Sequence, residues 1–237
     1  GPFSRPRTAA CMIAWVIVLK FGGTSVGDAH TIRQVIAIVR RALPQKTVLV
    51  VSAHAGVTDM LLSLARSAPA GNADVSAIAE LHRRILRDLG LPADLLDPLL
   101  ADLADLARGL RLVGTAGPRA QDHLASFGER CCARTVAAAL RADGIAATAV
   151  DASALGLRTD GAFGRARPLP DDGRIGCNLS AIGCVPVVTG YIAADEQGNI
   201  TTLGRNGSDY SAALIGAAAG AAEIQIWKDV DGVRTAD

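Results

Sequence analysis

Lys20 stands where an apolar segment changes abruptly into glycine and hydroxyl residues. Residues 16–19 are all aliphatic, whereas residues 21–25 have the sequence Phe-Gly-Gly-Thr-Ser. A glycine pair lets the backbone turn tightly and bring its N–H groups close to an anion, and the lysine adds a full positive charge. The pattern favours a phosphate-binding turn after a buried strand, although a strand that simply ends in a tight turn has the same appearance.

A second glycine-containing turn carries charges of both signs. Residues 204–209 have the sequence Gly-Arg-Asn-Gly-Ser-Asp, and a small-residue helix is predicted directly after them. Arg205 suits a carboxylate or a phosphate, and the N-terminus of a helix favours an anion. Together with Lys20, these groups suit phosphoryl transfer, which needs alignment and neutralisation of charge more than covalent help from the protein. Asp209 is expected to hold a lysine or a metal-bound phosphate in place.

The elements that must position these residues follow from the hydrophobic pattern, which alternates short strands with helices. Strands are predicted at residues 16–19, 47–51, 145–150, 185–188, 200–203 and 223–227, with a hairpin turn at 195–199. Helices are predicted from a cap at Ser25 to about residue 43, over 118–142, and from the turn at 204–209 to about residue 219. Residues 60–111 are predicted to form a helical hairpin whose leucine stripe belongs to the core. In open parallel sheets ligands bind beyond the carboxyl ends of the strands. The pattern therefore predicts an α/β domain with one crevice at that edge of its sheet.

Glu129 falls within the predicted helix at 118–142, close to its inner face but not at the centre of that face. The helical pattern alone favours an exposed glutamate at this position.

Composition excludes several classes of protein. The 237 residues carry 24 basic and 23 acidic side chains, and the formal net charge is +1. No overall field attracts nucleic acid or an anionic membrane surface. The apolar runs are interrupted before they reach membrane-spanning length. We therefore expect no nucleic-acid partner and no membrane segment.

The cysteines and histidines predict neither disulfides nor a metal site. The five cysteines are odd in number and form no Cys-x-x-Cys pair, which predicts reduced thiols and a cytoplasmic location. The four histidines lie far apart in the sequence and lack paired ligand spacing, so they are predicted to be surface or satisfied polar residues. Neither Gly-x-x-x-x-Gly-Lys-Ser/Thr nor Gly-x-Gly-x-x-Gly occurs, so a nucleotide must be bound in another way. Residues 1–14 are expected to be a tag, leader or upstream segment outside the fold, which then covers residues 15–237.

Five motifs follow one another along the chain: Lys20-Phe-Gly-Gly-Thr-Ser-Val26, Val51-Ser-Ala-His-Ala-Gly-Val-Thr58, Phe127-Gly-Glu129, Gly204-Arg-Asn-Gly-Ser-Asp-Tyr-Ser-Ala212 and Ile226-Trp-Lys-Asp-Val-Asp-Gly-Val233. In this order and at these separations they resemble aspartate kinase, and the resemblance covers nearly everything from Val16 to Asp237. The resemblance implies an amino acid kinase fold, a three-layer αβα sandwich around a mainly parallel sheet. It also implies phosphorylation of the side-chain carboxylate of L-aspartate by Mg-ATP, the first step toward lysine, threonine and methionine.

The resemblance further implies a role for each matched residue. Lys20 and Asp209 would be catalytic, with Lys20 on the transferring phosphate and Asp209 orienting the lysine. Substrate binding would fall to Ser52 and Thr58, to Glu129 for the ammonium group and to Arg205 for the α-carboxylate. Nucleotide binding would involve Lys20, Phe21, Gly22, Gly23, Lys228, Asp229 and Arg234. Mg²⁺ would be held through the nucleotide phosphates, with no protein metal site.

Aspartate kinases continue beyond the point that matches Asp237, usually into regulatory ACT domains. We therefore expect a C-terminally incomplete catalytic domain with no ACT domain. A kinase for another acceptor, such as acetylglutamate or glutamate, stays open, as does an inactive fragment of the catalytic domain. The sequence leaves the oligomeric state open and allows a homo-oligomer.

Overall fold

Residues 16–228, which the computed structural model describes, are built around one parallel sheet. Its strands are β1 (Val16–Phe21), β2 (Lys46–Val51), β3 (Ala147–Val150), β4 (Val185–Thr189) and β7 (Glu223–Trp227), in the order β3-β4-β2-β1-β7. All four strand pairings in this sheet are parallel. A separate antiparallel hairpin consists of β5 (Ile192–Ala194) and β6 (Ile200–Thr202). The predicted strands and the predicted hairpin are thus confirmed.

Helices connect the strands and cover both faces of the sheet. They are α1 (Ala29–Ala42), α2 (Val57–Ser67), α3 (Ser76–Leu89), α4 (Asp97–Val113), α5 (Pro118–Ala142), α6 (Ala152–Leu155), α7 (Arg174–Ala181) and α8 (Gly207–Ala218). The sequence pattern did not predict α6 or α7, and it treated α2 to α4 as one helical hairpin. None of the helices within the described range has the length and hydropathy needed to cross a bilayer.

Alternation along β1 places its side chains on two sides of the sheet. Leu19 and Phe21 belong to a core shared with α1 and the C-terminal half of α5. Val18 belongs to a second core on the opposite face, with Ile175 of α7 and Ile215 of α8. The result is a three-layer αβα sandwich with a mainly parallel sheet, as predicted.

A third hydrophobic cluster lies away from the sheet. It joins α2, α3 and α4 to the N-terminal half of α5, through residues such as Leu61, Leu86, Leu103 and Leu124. The predicted leucine stripe is therefore core, and α5 links this helical unit to the sheet.

The start of α1 differs from the prediction. Asp28, and not Ser25, is the N-cap residue, since its side chain accepts a hydrogen bond from the backbone N–H of Thr31 at 2.8 Å. The Thr31 hydroxyl in turn lies 3.1 Å from the backbone N–H of Asp28, which completes a reciprocal capping box. Ser25 lies in a short 3₁₀ turn, Thr24–Val26, that precedes the helix. A capping box satisfies two otherwise free N–H groups, and this explains where α1 begins.

His54 and His82 form a buried pair, contrary to the prediction of surface or satisfied histidines. Each side chain is 1% exposed, and the ring centroids lie 5.4 Å apart. Each Nδ1 contacts a backbone carbonyl, that of Val26 or Ile78, while neither Nε2 has a hydrogen-bond partner among the described residues. Burial lowers the pKa of both rings, and together with the charge of His82 it lowers the pKa of His54 to about 3. Both rings are therefore neutral at pH 7.

We expect the free energy of unfolding to fall as the pH drops below about 6.5, because the unfolded histidines take up protons that the buried rings do not. At pH 5 the loss should be about 2 kcal/mol for His54, whose pKa is lowered to about 3. Urea unfolding of the wild type and His54→Asn at pH 7 and pH 5 measures this effect. Asparagine still offers an N–H donor toward Val26 but does not titrate, so the variant should lose less stability on acidification. An identical pH dependence of both proteins would contradict the assignment.

Candidate active site

A cleft of about 510 Å³ lies at the carboxyl ends of the parallel strands. It contains the residues predicted for catalysis and substrate binding, together with one lysine predicted for the nucleotide: Lys20, Ser52, Thr58, Glu129, Arg205, Asp209 and Lys228. These side chains come from β1, the loop after β2, α2, α5, α8 and the ends of β6 and β7. The tertiary structure thus brings together residues that are up to about two hundred positions apart in the sequence.

Asp209 joins two lysines at one end of the cleft. Its Oδ1 lies 2.6 Å from Nζ of Lys20, and its Oδ2 lies 3.1 Å from Nζ of Lys228. Lys20 points to this place because it occupies the same side of β1 as Val18, which packs against α8. Asp209 lies in the first turn of α8, where the helix dipole favours a negative charge.

The two lysines decide the charge state of Asp209. Burial by itself raises the pKa of this carboxyl, but hydrogen bonds and charge from Lys20 and Lys228 outweigh that effect, so that the pKa lies below its ordinary value. Lys20 is only 5% exposed, whereas Lys228 lies at the open side of the cleft. The three groups carry a net positive charge in a partly dry place, which suits binding of phosphate oxygens.

Glu129 is buried in the wall of the cleft, and the expectation of an exposed glutamate is wrong. It is 2% exposed, and its Oε1 accepts a hydrogen bond from the backbone N–H of Ala53 at 3.2 Å. Its Oε2 has no partner among the described residues. A Cβ placed on Gly128 would lie 2.7 Å from the Cβ of Ala53. Glycine in this motif therefore allows α5 to approach the loop after β2, and the close approach buries the neighbouring glutamate.

Burial raises the pKa of Glu129 to about 8, against the smaller opposing effect of backbone hydrogen bonds. The carboxyl is therefore protonated at pH 7 in the absence of a cation. A cationic group that enters the cleft favours its ionised form, which then accepts a charge-assisted hydrogen bond through the free oxygen.

The other predicted substrate-binding residues line the same cleft. Ser52 follows β2 directly, and Thr58 lies in the first turn of α2. Arg205 is exposed in the turn before α8 and makes no ion pair within residues 16–228. An arginine with free N–H donors at the edge of a cleft can accept a carboxylate in a bidentate manner.

The structure does not place the predicted glycine-turn residues in this cleft. Phe21 is fully buried and stacks on Trp227, with ring centroids 6.3 Å apart. The N–H of Gly22 donates to the backbone carbonyl of Trp227, and Gly23 lies against the loop after β2. Their contact with a nucleotide stays a prediction. Asp229 and Arg234, also predicted for the nucleotide, lie outside the described residues, as do residues 1–14.

The cleft is also lined by residues to which the sequence assigned no role of their own: Gly164, Tyr191, Gly204, Asn206, Gly207 and Ser208. Tyr191 and Asn206 are the residues other than glycine that have positive φ angles within the described range, 64° and 57°. Such conformations are strained for tyrosine and tolerated by asparagine. The position of Tyr191 just after a strand was a signal that could have identified it, because that edge of the sheet forms the site.

No cluster of three or more histidine, cysteine, aspartate or glutamate side chains suited to a metal ion occurs within residues 16–228. Both oxygens of Asp209 face lysine nitrogens. The described part of the cleft thus offers cationic groups for phosphate and no preformed cage for a cation.

Comparison with known proteins agrees with this geometry. A model of the amino acid kinase family matches residues 15–237. The chain is 35% identical to the chloroplastic aspartokinase 1 of Arabidopsis thaliana over 93% of its length, and 33% identical to the lysine-sensitive aspartokinase 3 of Escherichia coli over 94%. It spans 41% and 51% of those two proteins.

Solved structures give the same result. The crystal structure of E. coli aspartokinase III in complex with aspartate and ADP matches 92% of the chain with a TM-score of 0.79 at 32% identity. The match covers 50% of that protein chain. The complex of the same enzyme with lysine and aspartate matches with a TM-score of 0.78.

The raised pKa of Glu129 leads to a test of stability against pH. Since the folded-state pKa lies above the unfolded value of 4.5, the stabilisation is fully present below pH 4.5 and is lost as the pH rises toward 8. We expect the free energy of unfolding of the wild type to fall by a few kcal/mol over this range relative to Glu129→Gln, which retains an oxygen for Ala53 but does not ionise. Parallel urea-unfolding curves of the two proteins at pH 5, 6.5 and 8 would show the difference. A constant offset between them would rule out an uncharged Glu129 in the empty cleft.

Proposed function

The chain belongs to the amino acid kinase family, and from this premise we propose that it carries the phosphoryl-transfer machinery of an aspartate kinase. In the proposed reaction an oxygen of the side-chain carboxylate of L-aspartate attacks the γ-phosphorus of ATP. The bond from that phosphorus to the bridging oxygen of ADP breaks, and 4-phospho-L-aspartate and ADP are formed. Such a product serves biosynthesis of lysine, threonine and methionine.

The observation that carries this proposal is that one cleft contains two chemically different sets of groups. It is lined by Lys20 and Lys228, which both pair with Asp209. It is also lined by the buried Glu129, with an unpaired oxygen, and by the exposed Arg205. A free amino acid presents an ammonium group and a carboxylate, which are the complements of Glu129 and Arg205.

The lysine end supports the transfer step. Lys20 would neutralise charge on the transferring phosphoryl oxygens and on the acceptor carboxylate, which otherwise repel each other. Asp209 fixes the position of the ammonium group of Lys20 at 2.6 Å. No general base is required, because the acceptor carboxylate is ionised at pH 7.

In the proposed reaction the cleft residues would bind the phosphates of ATP, and those phosphates would in turn hold Mg²⁺. Lys20 and Lys228 suit the phosphates of a nucleotide. Mg²⁺, when bound, would shield the charge between phosphate oxygens, and the donors present within residues 16–228 are consistent with an ion held mainly by those oxygens.

Glu129 also bears on the alternative acceptors. An N-acylated acid such as acetylglutamate has no ammonium group, and it would leave the buried oxygen of Glu129 without a charged partner. Glutamate would satisfy Glu129 and Arg205 equally and differs from aspartate only in length. The described residues therefore favour a free amino acid, and only an acceptor panel separates the two lengths.

A cytoplasmic location and a homo-oligomeric state stay predictions. Four cysteines within the described range, Cys131, Cys132, Cys177 and Cys184, are free thiols, which agrees with a reducing environment.

The first test is phosphoryl transfer by the purified chain with Mg-ATP and L-aspartate, followed by ADP release and by trapping of the acyl phosphate with hydroxylamine. We expect Lys20→Met to lower kcat about 100- to 1000-fold, because charge on the transferring group is no longer neutralised. Lys46→Met is the matched control, since Lys46 lies at the amino end of the adjacent strand, opposite Val16 in the register. Its kcat should equal that of the wild type. Equal activity of Lys20→Met and the control would overturn the proposed role.

The second test is a panel of acceptors: L-aspartate, L-glutamate, N-acetyl-L-aspartate and N-acetyl-L-glutamate. We expect L-aspartate to be the best acceptor, and Glu129→Gln to lower its kcat/KM about 100-fold through loss of the pairing with the ammonium group. The same variant should not lower turnover of the acetylated acids. If an acetylated acid is the preferred acceptor, that acid and not aspartate is the substrate. If the folded chain is inactive with every acceptor, the result favours an inactive fragment of the catalytic domain.

A further inference from the structure

Asp122 is a buried carboxylate that neither the transfer step nor substrate binding uses. It is 3% exposed on α5, about two helical turns before Glu129 and on the same side of the helix. It forms no ion pair with a lysine, arginine or histidine within residues 16–228. A buried carboxylate without a cation needs several hydrogen-bond donors, and the donors show what it holds.

Three hydrogen bonds reach Asp122 from two different segments. Its Oδ2 accepts from the backbone N–H of Gly164 at 2.9 Å and from that of Thr202 at 3.0 Å. Its Oδ1 accepts from the hydroxyl of Thr202 at 2.8 Å. One side chain on α5 therefore binds both the loop between α6 and α7 and the end of β6.

Both of these segments continue into the cleft. Gly164 itself lines it, and Thr202 is followed closely by Gly204 and Arg205, which line it too. The loop and the hairpin are also joined to each other, since the N–H of Ala166 donates to the carbonyl of Thr202 at 2.9 Å. They form one wall of the cleft, and Asp122 attaches that wall to the helix that carries Glu129.

We propose that Asp122 is a positioning residue that sets the distance between Glu129 and the wall carrying Gly164 and Arg205, and thereby sets the affinity for the amino acid substrate. The proposal rests on the proposed function for the identity of that substrate. Glu129 and Arg205 would bind the ammonium group and the α-carboxylate, which share one α-carbon, so a shift of the wall relative to α5 prevents both contacts from being made at once.

The groups around Asp209 should respond less to the same change. Lys20, Asp209 and Lys228 lie on β1, α8 and the end of β7, and none of them forms a hydrogen bond or an ion pair with Asp122. The turn at 204–206 leads into α8, but Ala212 and Ile215 hold that helix in the core beside the sheet. The role of Asp122 therefore predicts a split between two Michaelis constants, which a general loss of stability would not produce.

The experiment compares Asp122→Ala with Asp122→Asn. Alanine removes all three hydrogen bonds. Asparagine can still accept from the two backbone N–H groups with its oxygen, and its amide group can donate to the hydroxyl of Thr202. We expect the KM for L-aspartate to rise about 10- to 100-fold in the alanine variant while the KM for ATP changes less than about twofold, and we expect asparagine to restore most of the affinity.

Thr201→Val is the matched structural control. The hydroxyls of Thr159 and Thr201 lie 2.8 Å apart and connect the same loop to the same hairpin, but they do not reach α5. This variant loosens the wall internally and leaves its attachment to Asp122 in place. Its two KM values should equal those of the wild type, even if it unfolds at a lower temperature.

Hydrogen exchange gives a readout that does not depend on the substrate. Amides at 160–168 and 202–206 should exchange faster in Asp122→Ala than in the wild type or Asp122→Asn, with the strands of the parallel sheet unchanged. Unchanged exchange in the alanine variant overturns the attachment, and faster exchange with an unchanged KM for aspartate overturns the positioning role. A wild type that does not phosphorylate aspartate defeats the proposed function instead, while the exchange measurement still decides whether Asp122 holds the wall.

Discussion

The pairing of Lys20 with Asp209 is the interaction on which the geometry of the cleft depends. A lysine that is 5% exposed loses most of its hydration, and a buried charge is tolerated only beside a compensating one. The compensation comes from the first turn of α8, so the charge balance of β1 depends on where that helix starts. The turn that leads into this helix has Asn206 in a left-handed conformation, as the N-cap residue of α8.

Glu129, which lines the same cleft, differs from Lys20 because its buried carboxyl has no charged partner. Glu129 is as deeply buried as Lys20, but one of its oxygens has no partner among the described residues. Burial keeps this carboxyl protonated near neutral pH, whereas two lysines keep Asp209 ionised. Two acidic side chains in one cleft thus have different charge states, because one is paired and the other is kept free for a ligand.

The lysine groups and Glu129 lie on parts of the structure with different support. Lys20 and Asp209 lie on the parallel sheet and α8, whose side chains fill a continuous core. Glu129 lies on α5 and lines the same cleft as a wall made of a loop and a two-stranded hairpin. The hydrogen bonds of Asp122 connect that wall to α5, in addition to the packing of β6 against the same helix.

The sequence by itself determined the alternation of strands and helices, the bounds of α5, the hairpin at β5 and β6, and the turns that carry Lys20, Arg205 and Asp209. These features depend on local periodicity and on the residue types at turns, and both can be recognised within one short segment of the sequence. The tertiary structure alone decided the burial of Glu129, the pairing of His54 with His82, and the contacts of Asp122. Helical periodicity shows which side of α5 faces inward, but the depth of Glu129 depends on the approach that Gly128 allows to Ala53. The donors for Asp122 come from residues 42 and 80 positions away in the sequence, and a local sequence pattern does not predict contacts between such distant residues.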